Sequence, residues 1–171
     1  PGKKKEYKTI DEFIEDGEFV SMEGFMNILH ETEKDKYYLV LDESQLNKEF
    51  IYFTYVLNGP SDAGPSGGDM GEAFILEFRK FKEDIGIYKK NTKFTYDESN
   101  KISQSKLTNI IEAFMGRFSV VVNEDTKYLI NIDQMFLTEM LVSITPNIPQ
   151  EYMEYYNLIL GRADKAKTFI D

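Results

Sequence analysis

The sequence has 171 residues, enough for one compact domain or for one domain with a short appended segment. Hydrophobic residues make up 42% of it and aromatic residues 14%, a composition that excludes a disordered chain and favours a sheet. The formal net charge of −10 would repel phosphate backbones and an anionic membrane surface, so we expect no nucleic-acid partner. No apolar run in the sequence reaches the length of a membrane-spanning helix. Since cysteine is absent, disulfides, thiolate metal sites and a cysteine nucleophile are excluded.

The N-terminal segment predicts a short helix. The chain begins with Pro-Gly and three lysines, with no apolar run behind them that would make a signal peptide, and we expect the natural N-terminus to lie upstream. Thr9 and Glu12 have the spacing of a capping box, in which the hydroxyl accepts a hydrogen bond from the amide three residues on and the carboxylate reaches back. The helix is expected to end at Gly17. Residues 1–17 therefore form a predicted helical lead-in.

Apolar runs after residue 18 predict strands at residues 19–29, 37–41 and 50–57. The runs at 37–41 and 50–53 barely alternate between apolar and polar residues. We therefore expect both faces of these two strands to be covered, as in the centre of a sheet.

A loop rich in glycine and proline, residues 58–71, follows the third predicted strand and cannot sustain a strand ladder. Its glycines would expose backbone amides, which makes it a candidate interaction loop; a plain connection between strands is the alternative. It has no Lys or Arg and no Gly-Lys-Ser/Thr ending, so a phosphate-binding loop is not expected. The candidate interaction residues are Asn58, Gly59, Asp62, Gly64, Gly67, Gly68, Asp69 and Gly71.

The second half of the chain predicts more strands and three helices. Residues 74–81, 85–90 and 93–96 are expected to form an antiparallel meander with one face in water. Apolar residues spaced three and four apart predict a helix from Ser105 to about Gly116. A hairpin with strands at residues 118–122 and 128–132 is expected next, followed by a short helix capped by Asp133. A final helix is expected from Gln150 to about residue 161.

These elements predict an α+β fold, mainly an antiparallel, strand-rich sheet with three to four short helices packed on it. The strand-rich domain is expected at residues 18–145. Residues 146–171 are expected to form a C-terminal helix and the start of a linker to a downstream domain.

A complete catalytic or metal site is not expected in this chain. His30 is followed by Glu31, as at the start of the zinc-protease motif HExxH, but the second histidine one helical turn later is missing. With a single histidine and no cysteine, we expect no zinc, no other cofactor and no histidine-dependent triad here. Paired carboxylates fall in predicted turns and helix starts, so a carboxylate-based hydrolase rests on composition alone.

Tyrosines on successive predicted strands form a candidate aromatic surface, because tyrosine offers a flat apolar ring with a polar tip. Such a surface suits a glycan or a peptide. The candidate residues are Tyr37, Tyr38, Tyr52 and Tyr55.

The order of features resembles the N-terminal region of a family of large bacterial zinc-dependent metalloproteases. The closest part is Leu46-Asn47-Lys48-Glu49-Phe50-Ile51-Tyr52, which is similar to a "Leu-Asp-Lys-Glu-Phe-Leu-Tyr"-like strand that precedes a Gly-rich loop in that family. Asp133-Gln134-Met135-Phe136-Leu137 is similar to an "Asp-x-Phe-Leu"-like segment that follows a helix and a hairpin. The resemblance extends over roughly residues 7–171 and consists of hydrophobic patterns of low specificity. The Gly-rich loop departs from the family pattern, since it lacks the usual basic residue.

The resemblance implies a non-catalytic N-terminal domain of an exported protease, either periplasmic, outer-membrane-associated or extracellular. Its HExxH domain and its zinc would lie downstream, and the expected partner is that protease domain of the same polypeptide. The alternative is a free-standing binding module for a glycan or a peptide, which would use the aromatic surface.

Overall fold

The computed structural model describes residues 5–57, 67–92, 112–143 and 164–170. The strands are β1 (Phe19–Met22), β2 (Asn27–Glu31), β3 (Lys36–Asp42), β4 (Glu49–Tyr55), β5 (Met70–Phe81), β6 (Asp84–Lys89), β7 (Ala113–Glu124) and β8 (Lys127–Asn131). The α-helices in these ranges are α1 (Ile10–Glu15) and α2 (Asp133–Phe136), and single 3₁₀ turns lie at Glu43–Gln45 and Lys165–Lys167.

The strands form one antiparallel, eight-stranded sheet in the order β1-β2-β3-β8-β7-β6-β5-β4. This confirms the predicted strand-rich, antiparallel architecture, but the described residues contain two short α-helices instead of the predicted three to four. Most strands that are neighbours in the sheet also follow one another in the chain. The non-local pairing joins β3 to β8, where Leu39 lies opposite Ile130. The predicted hairpin of residues 118–132 is confirmed as β7 and β8, and its turn contains Asp125 with φ 47°.

The first half of the predicted capping box of α1 is confirmed, whereas the Glu12 carboxylate reaches back to a different amide. The Thr9 hydroxyl accepts a hydrogen bond from the amide of Glu12 at 3.1 Å. The Glu12 carboxylate accepts from the amide of Lys8 at 2.8 Å, one residue before the predicted donor. The amide of Gly17 donates to the carbonyl of Ile14 at 3.3 Å, so the helix ends where the glycine predicts.

Helix α1 packs into the core of the sheet. Its buried residues Ile10 and Phe13 join a cluster whose other members are Leu29, Tyr38, Val122 and Leu129. The ring of Phe13 meets the ring of Tyr38 edge to face at 5.0 Å, and the amide of Ile10 donates to the Glu124 carboxylate at 2.8 Å. A helix of six residues is unstable alone, so these contacts stabilise it.

The prediction of two covered faces is confirmed for β3 and wrong for β4. Tyr37 and Tyr38 are 2% and 7% exposed, although they lie on opposite faces of β3. In β4 the burial alternates, and Ile51 and Phe53 are 73% and 54% exposed. β4 is the last strand in the sheet order, so an apolar run there does not indicate burial on both faces.

Two other predicted elements differ from the structure. The single strand predicted at residues 19–29 is a hairpin, in which Phe19 lies opposite Glu31. The predicted helix from Ser105 was expected to end at Gly116, but Phe114 and Gly116 lie in strand β7. Its residues 105–111, the strand predicted at 93–96 and the helix predicted from Gln150 lie outside the described ranges. The short helix predicted at Asp133 is confirmed as α2.

The chain divides into two compact units. The first contains Pro1–Tyr52 and Phe74–Ile132, and the second contains Phe53–Ala73 and Asp133–Asp171. The predicted lead-in, residues 1–17, belongs to the first unit. The boundary predicted between residues 145 and 146 lies outside the described residues.

Thr54 and Gly71 lie side by side in the second unit. The Thr54 hydroxyl is buried and has no hydrogen-bond partner in the part of the chain that the structure describes. A Cβ atom on Gly71 would overlap that hydroxyl and would approach the Thr54 Cβ to 3.2 Å. The missing side chain at Gly71 therefore makes room for Thr54.

We predict that Gly71→Ala lowers the free energy of unfolding by about 1–3 kcal/mol, because the added methyl group forces Thr54 aside. Thr54→Ala removes the clashing atom, so the cost of Gly71→Ala should shrink in that background. Urea denaturation of both single variants and the double variant measures this. Gly24→Ala is the control, since its nearest neighbour would lie 3.7 Å away, and equal costs at Gly24 and Gly71 would contradict the prediction.

Candidate functional site

Strands β5, β6 and β7 have a second face, opposite the buried side chains of Leu76 and Phe78. Glu77 lies opposite Tyr88, and Arg79 lies opposite Gly86, so these residues share that face. The face was predicted to be in water, which is wrong for Glu77, because only 6% of it is exposed. Both groups of contacts on this face lie within the first unit.

The first group is an aromatic cluster formed by Phe81, Tyr88 and Phe114. The ring centroids of Tyr88 and Phe114 are 5.3 Å apart with planes at 56°, and those of Phe81 and Phe114 are 6.0 Å apart with planes at 35°. Phe114 is 52% exposed and Phe81 is 38% exposed. Apolar rings therefore remain accessible on the surface of the sheet.

Gly86 lies under the aromatic cluster. A Cβ atom at this position would lie 3.1 Å from the Tyr88 ring and 3.2 Å from the Phe114 ring. The absent side chain lets both rings lie close to the strand, and any larger residue would push them outward.

The second group is an ion network formed by Glu77, Arg79, Lys90 and Glu112. The Arg79 guanidinium donates to both oxygens of Glu77, at 2.6 and 3.0 Å, and pairs with Glu112 at 2.6 Å. The Lys90 ammonium lies 3.1 Å from Glu77 and 2.8 Å from Glu112. Lys90 also contacts the more exposed carboxylate of Glu49 at 3.3 Å. A nearly buried carboxylate is stabilised by this pairing, which offsets the cost of removing it from water.

All four groups of the ion network stay charged at neutral pH. The hydrogen bond from Arg79 lowers the pKa of Glu77 and of Glu112, although burial opposes it. The carboxylates in turn raise the pKa of Arg79 and of Lys90, with Glu77 contributing most to Arg79 and Glu112 most to Lys90. A general acid or base needs a pKa near the working pH, so the network is suited to holding groups in place rather than to proton transfer.

Arg79 connects the two groups. Its guanidinium carbon lies 4.6 Å from the centre of the Tyr88 ring while its nitrogens pair with Glu77 and Glu112. A guanidinium held in this way favours one position of the ring beneath it. The combined surface is therefore an exposed apolar cluster beside a set of charges that already have partners.

The second unit has an exposed apolar strip of its own. It consists of Phe53, Tyr55, Leu57 and Met70, which are 54%, 55%, 93% and 65% exposed. Phe53 and Tyr55 lie on one face of β4, while Thr54 between them lies on the other. The ring centroids of Phe53 and Tyr55 are 5.7 Å apart. Large apolar side chains gathered in water are typical of interaction surfaces.

The predicted aromatic surface is not assembled by the structure. Tyr37 and Tyr38 are buried, Tyr38 within the α1 core and Tyr37 stacked on the ring of His30 at 4.2 Å. Tyr52 is half-buried against Phe74, and burial raises its pKa. Of the four tyrosines only Tyr55 is strongly exposed, and it belongs to the apolar strip.

The described end of the predicted interaction loop is a tight connection. The amide of Gly68, with φ 94°, donates to the carbonyl of Val56 at 2.7 Å, and the amide of Val56 donates to the carbonyl of Asp69 at 3.0 Å. Gly67 lies in the same turn, and Gly71 lies in β5. The candidate residues Asn58, Gly59, Asp62 and Gly64 lie outside the described ranges.

His30 lies on β2 and contacts Asp35, with Nε2 3.0 Å from the carboxylate. Among the residues that the structure describes, no group of three or more His, Asp or Glu side chains is placed to hold a metal ion. Within the same ranges, no helix has the length and apolar character needed to cross a membrane.

The aromatic cluster and the ion network were missed in the sequence. Phe114 fitted the predicted helix, which separated it from Phe81 and Tyr88. The alternation of Glu77 and Arg79 with apolar residues indicated that both lie on one face of a strand. The available signal for the ion network was the presence of three acidic and two basic residues. Only the pairing of β6 with β7 brings Phe114 to Tyr88.

Comparison of the chain with protein-family models, with curated proteins and with solved structures finds no match.

We predict that Glu77→Gln lowers the free energy of unfolding at pH 7 by about 1–3 kcal/mol, because Arg79 and Lys90 lose a charged partner. The folded-state pKa of Glu77 and of Glu112 is lowered, so their contribution is present above the usual glutamate pKa and is lost as the pH falls below it. The difference between wild type and variant should therefore shrink as the pH falls below the usual glutamate pKa of about 4.3.

Denaturation in urea at several pH values measures this difference. Glu83→Gln is the matched control, since Glu83 is exposed in the turn between β5 and β6. A cost for Glu77→Gln that is independent of pH, or equal to that of Glu83→Gln, would show that the ion network does not stabilise the fold.

Proposed function

We propose that this chain is a non-catalytic accessory domain of an exported bacterial zinc metalloprotease, and that it packs against the protease domain or regulates access to it. The ordered resemblance supports the family and the export. The apolar strip of Phe53, Tyr55, Leu57 and Met70 is the observation that supports the packing role, because these side chains are all more than half exposed. Zinc and the HExxH motif would belong to the downstream domain of the same polypeptide.

The strip is suited to a permanent contact. Its side chains are aromatic or aliphatic, and the rings of Phe53 and Tyr55 contact each other. Burying one large apolar side chain contributes about 1.5–3 kcal/mol. Two such side chains would contribute about 3–6 kcal/mol to a domain contact.

The accessory role predicts that the gene encodes an HExxH segment downstream of residue 171, and that the strip is covered in the parent protein. Hydrogen exchange at residues 53–57 should be slower in the parent protein than in this chain alone. The double variant Phe53→Ser with Tyr55→Ser should remove that protection, because it deletes the two aromatic rings of the strip.

Phe25→Ser is the control for the strip variant, since Phe25 is 78% exposed and lies in the first unit. A reading frame that ends near residue 171 would overturn the accessory role. Equal exchange at residues 53–57 in both proteins would overturn the strip as the contact surface.

The proposal also predicts that the isolated chain hydrolyses no casein and retains no stoichiometric zinc after dialysis. Proteolysis that is lost on chelation, with one zinc per chain by metal analysis, would contradict it.

The second candidate function is a binding module for a glycan or a peptide. The aromatic cluster favours this function, although it uses Phe81, Tyr88 and Phe114 instead of the predicted tyrosines. Exposed rings on a rigid sheet, with polar groups beside them, are common in recognition surfaces.

A further inference from the structure

We propose that the aromatic cluster is a docking site for a basic peptide segment, which packs one aliphatic side chain against the rings of Phe81 and Phe114. This inference rests on the second candidate function, since it requires that the second face of β5–β7 binds a partner. It adds the chemistry of that partner, which follows from the shape of the cluster and from its charges.

The shape of the cluster favours an aliphatic side chain over a sugar ring. A sugar stacks on a flat platform, whereas the ring planes here are inclined at 35° and 56° to one another. Rings with centroids 5.3 and 6.0 Å apart and inclined in this way do not form one flat platform. A compact leucine or methionine side chain contacts two inclined rings at once and buries more apolar area than a disc-shaped ring does.

The donors beside the cluster are already engaged. Arg79 directs its nitrogens at Glu77 and Glu112, and Lys90 contacts the same two carboxylates and Glu49. A sugar hydroxyl or a phosphate would have to break these ion pairs to gain a hydrogen bond. That exchange offers little net free energy, so neither ligand is favoured here.

The charges select a basic segment. The ion network with Glu49 has three carboxylates against two cations, a local balance of −1. The whole chain carries −10 at pH 7. An acidic segment is therefore repelled at short and long range, while a lysine or arginine beside the aliphatic anchor is attracted by this net charge and by Glu49, the most exposed of the three carboxylates.

The site is ready-formed. Gly86 lets the rings of Tyr88 and Phe114 lie close to the strand, and the Arg79 guanidinium lies over the ring of Tyr88. Little side-chain ordering is then needed on binding, which improves affinity for a given contact area.

The test uses three blocked pentapeptides titrated into the full chain at low salt, with the ring signals of Phe114 and Tyr88 followed by NMR. The probes are Lys-Leu-Lys-Leu-Lys, Glu-Leu-Glu-Leu-Glu and Lys-Gly-Lys-Gly-Lys. The first should bind at least about fivefold more tightly than the other two, and its advantage over the acidic peptide should shrink at about 0.5 M salt. Phe114→Ser should weaken the first peptide by about tenfold, because it removes the most exposed ring of the cluster, which contacts both of the others.

Phe25→Ser, a matched change at a distant exposed phenylalanine, should leave binding unchanged. If Phe114→Ser lowers the thermal midpoint of the chain, Phe81→Ser serves as the second variant. It should also weaken binding of the first peptide. Equal binding of the acidic and basic peptides, with loss on Phe114→Ser, would overturn the basic partner and leave the face as a binding site. Tighter binding of a neutral glucan hexamer would overturn the peptide. No effect of either phenylalanine variant would overturn the face as a binding site.

Discussion

A carboxylate that is taken out of water must be paired, and this requirement organises the second face of β5–β7. Glu77 is 6% exposed because its strand register places it there, opposite Tyr88. Arg79 donates a hydrogen bond to each oxygen of the Glu77 carboxylate. Lys90 forms ion pairs with both Glu77 and Glu112. Once Arg79 is held, its guanidinium also fixes the ring of Tyr88. The geometry of the aromatic cluster thus depends on an ion pair that contributes no apolar surface of its own.

Local signals in the sequence were sufficient where the structure is set by neighbours along the chain. The Thr9 hydroxyl caps α1, the β7–β8 turn lies between its two predicted strands, and Asp133 begins α2. Non-local pairing was not accessible in the same way. Phe114 fits an apolar helical spacing with the residues before it, yet it lies in a strand because β7 pairs with β6. The exposure of Ile51 follows from the place of β4 at the end of the sheet order, which no local pattern records.

The candidate site shows the same division between local and non-local information. Tyr37 and Tyr38 are adjacent and therefore point to opposite faces, so no single surface could contain both. The residues that do come together, Phe81, Tyr88 and Phe114, derive from three strands and meet only through register. The composition indicates abundant aromatic residues. Which of their rings stay exposed to water depends on which parts of the sheet the whole fold buries.

The position of β4 has a consequence for the behaviour of the chain in solution. A terminal strand with Ile51 and Phe53 in water is a template onto which a second chain can add its own strand, the first step towards ordered aggregates. Mutual repulsion between chains of charge −10 opposes that encounter at neutral pH. This protection vanishes near the isoelectric point of about 4.7, where colloidal stability depends on whether β4 is already covered.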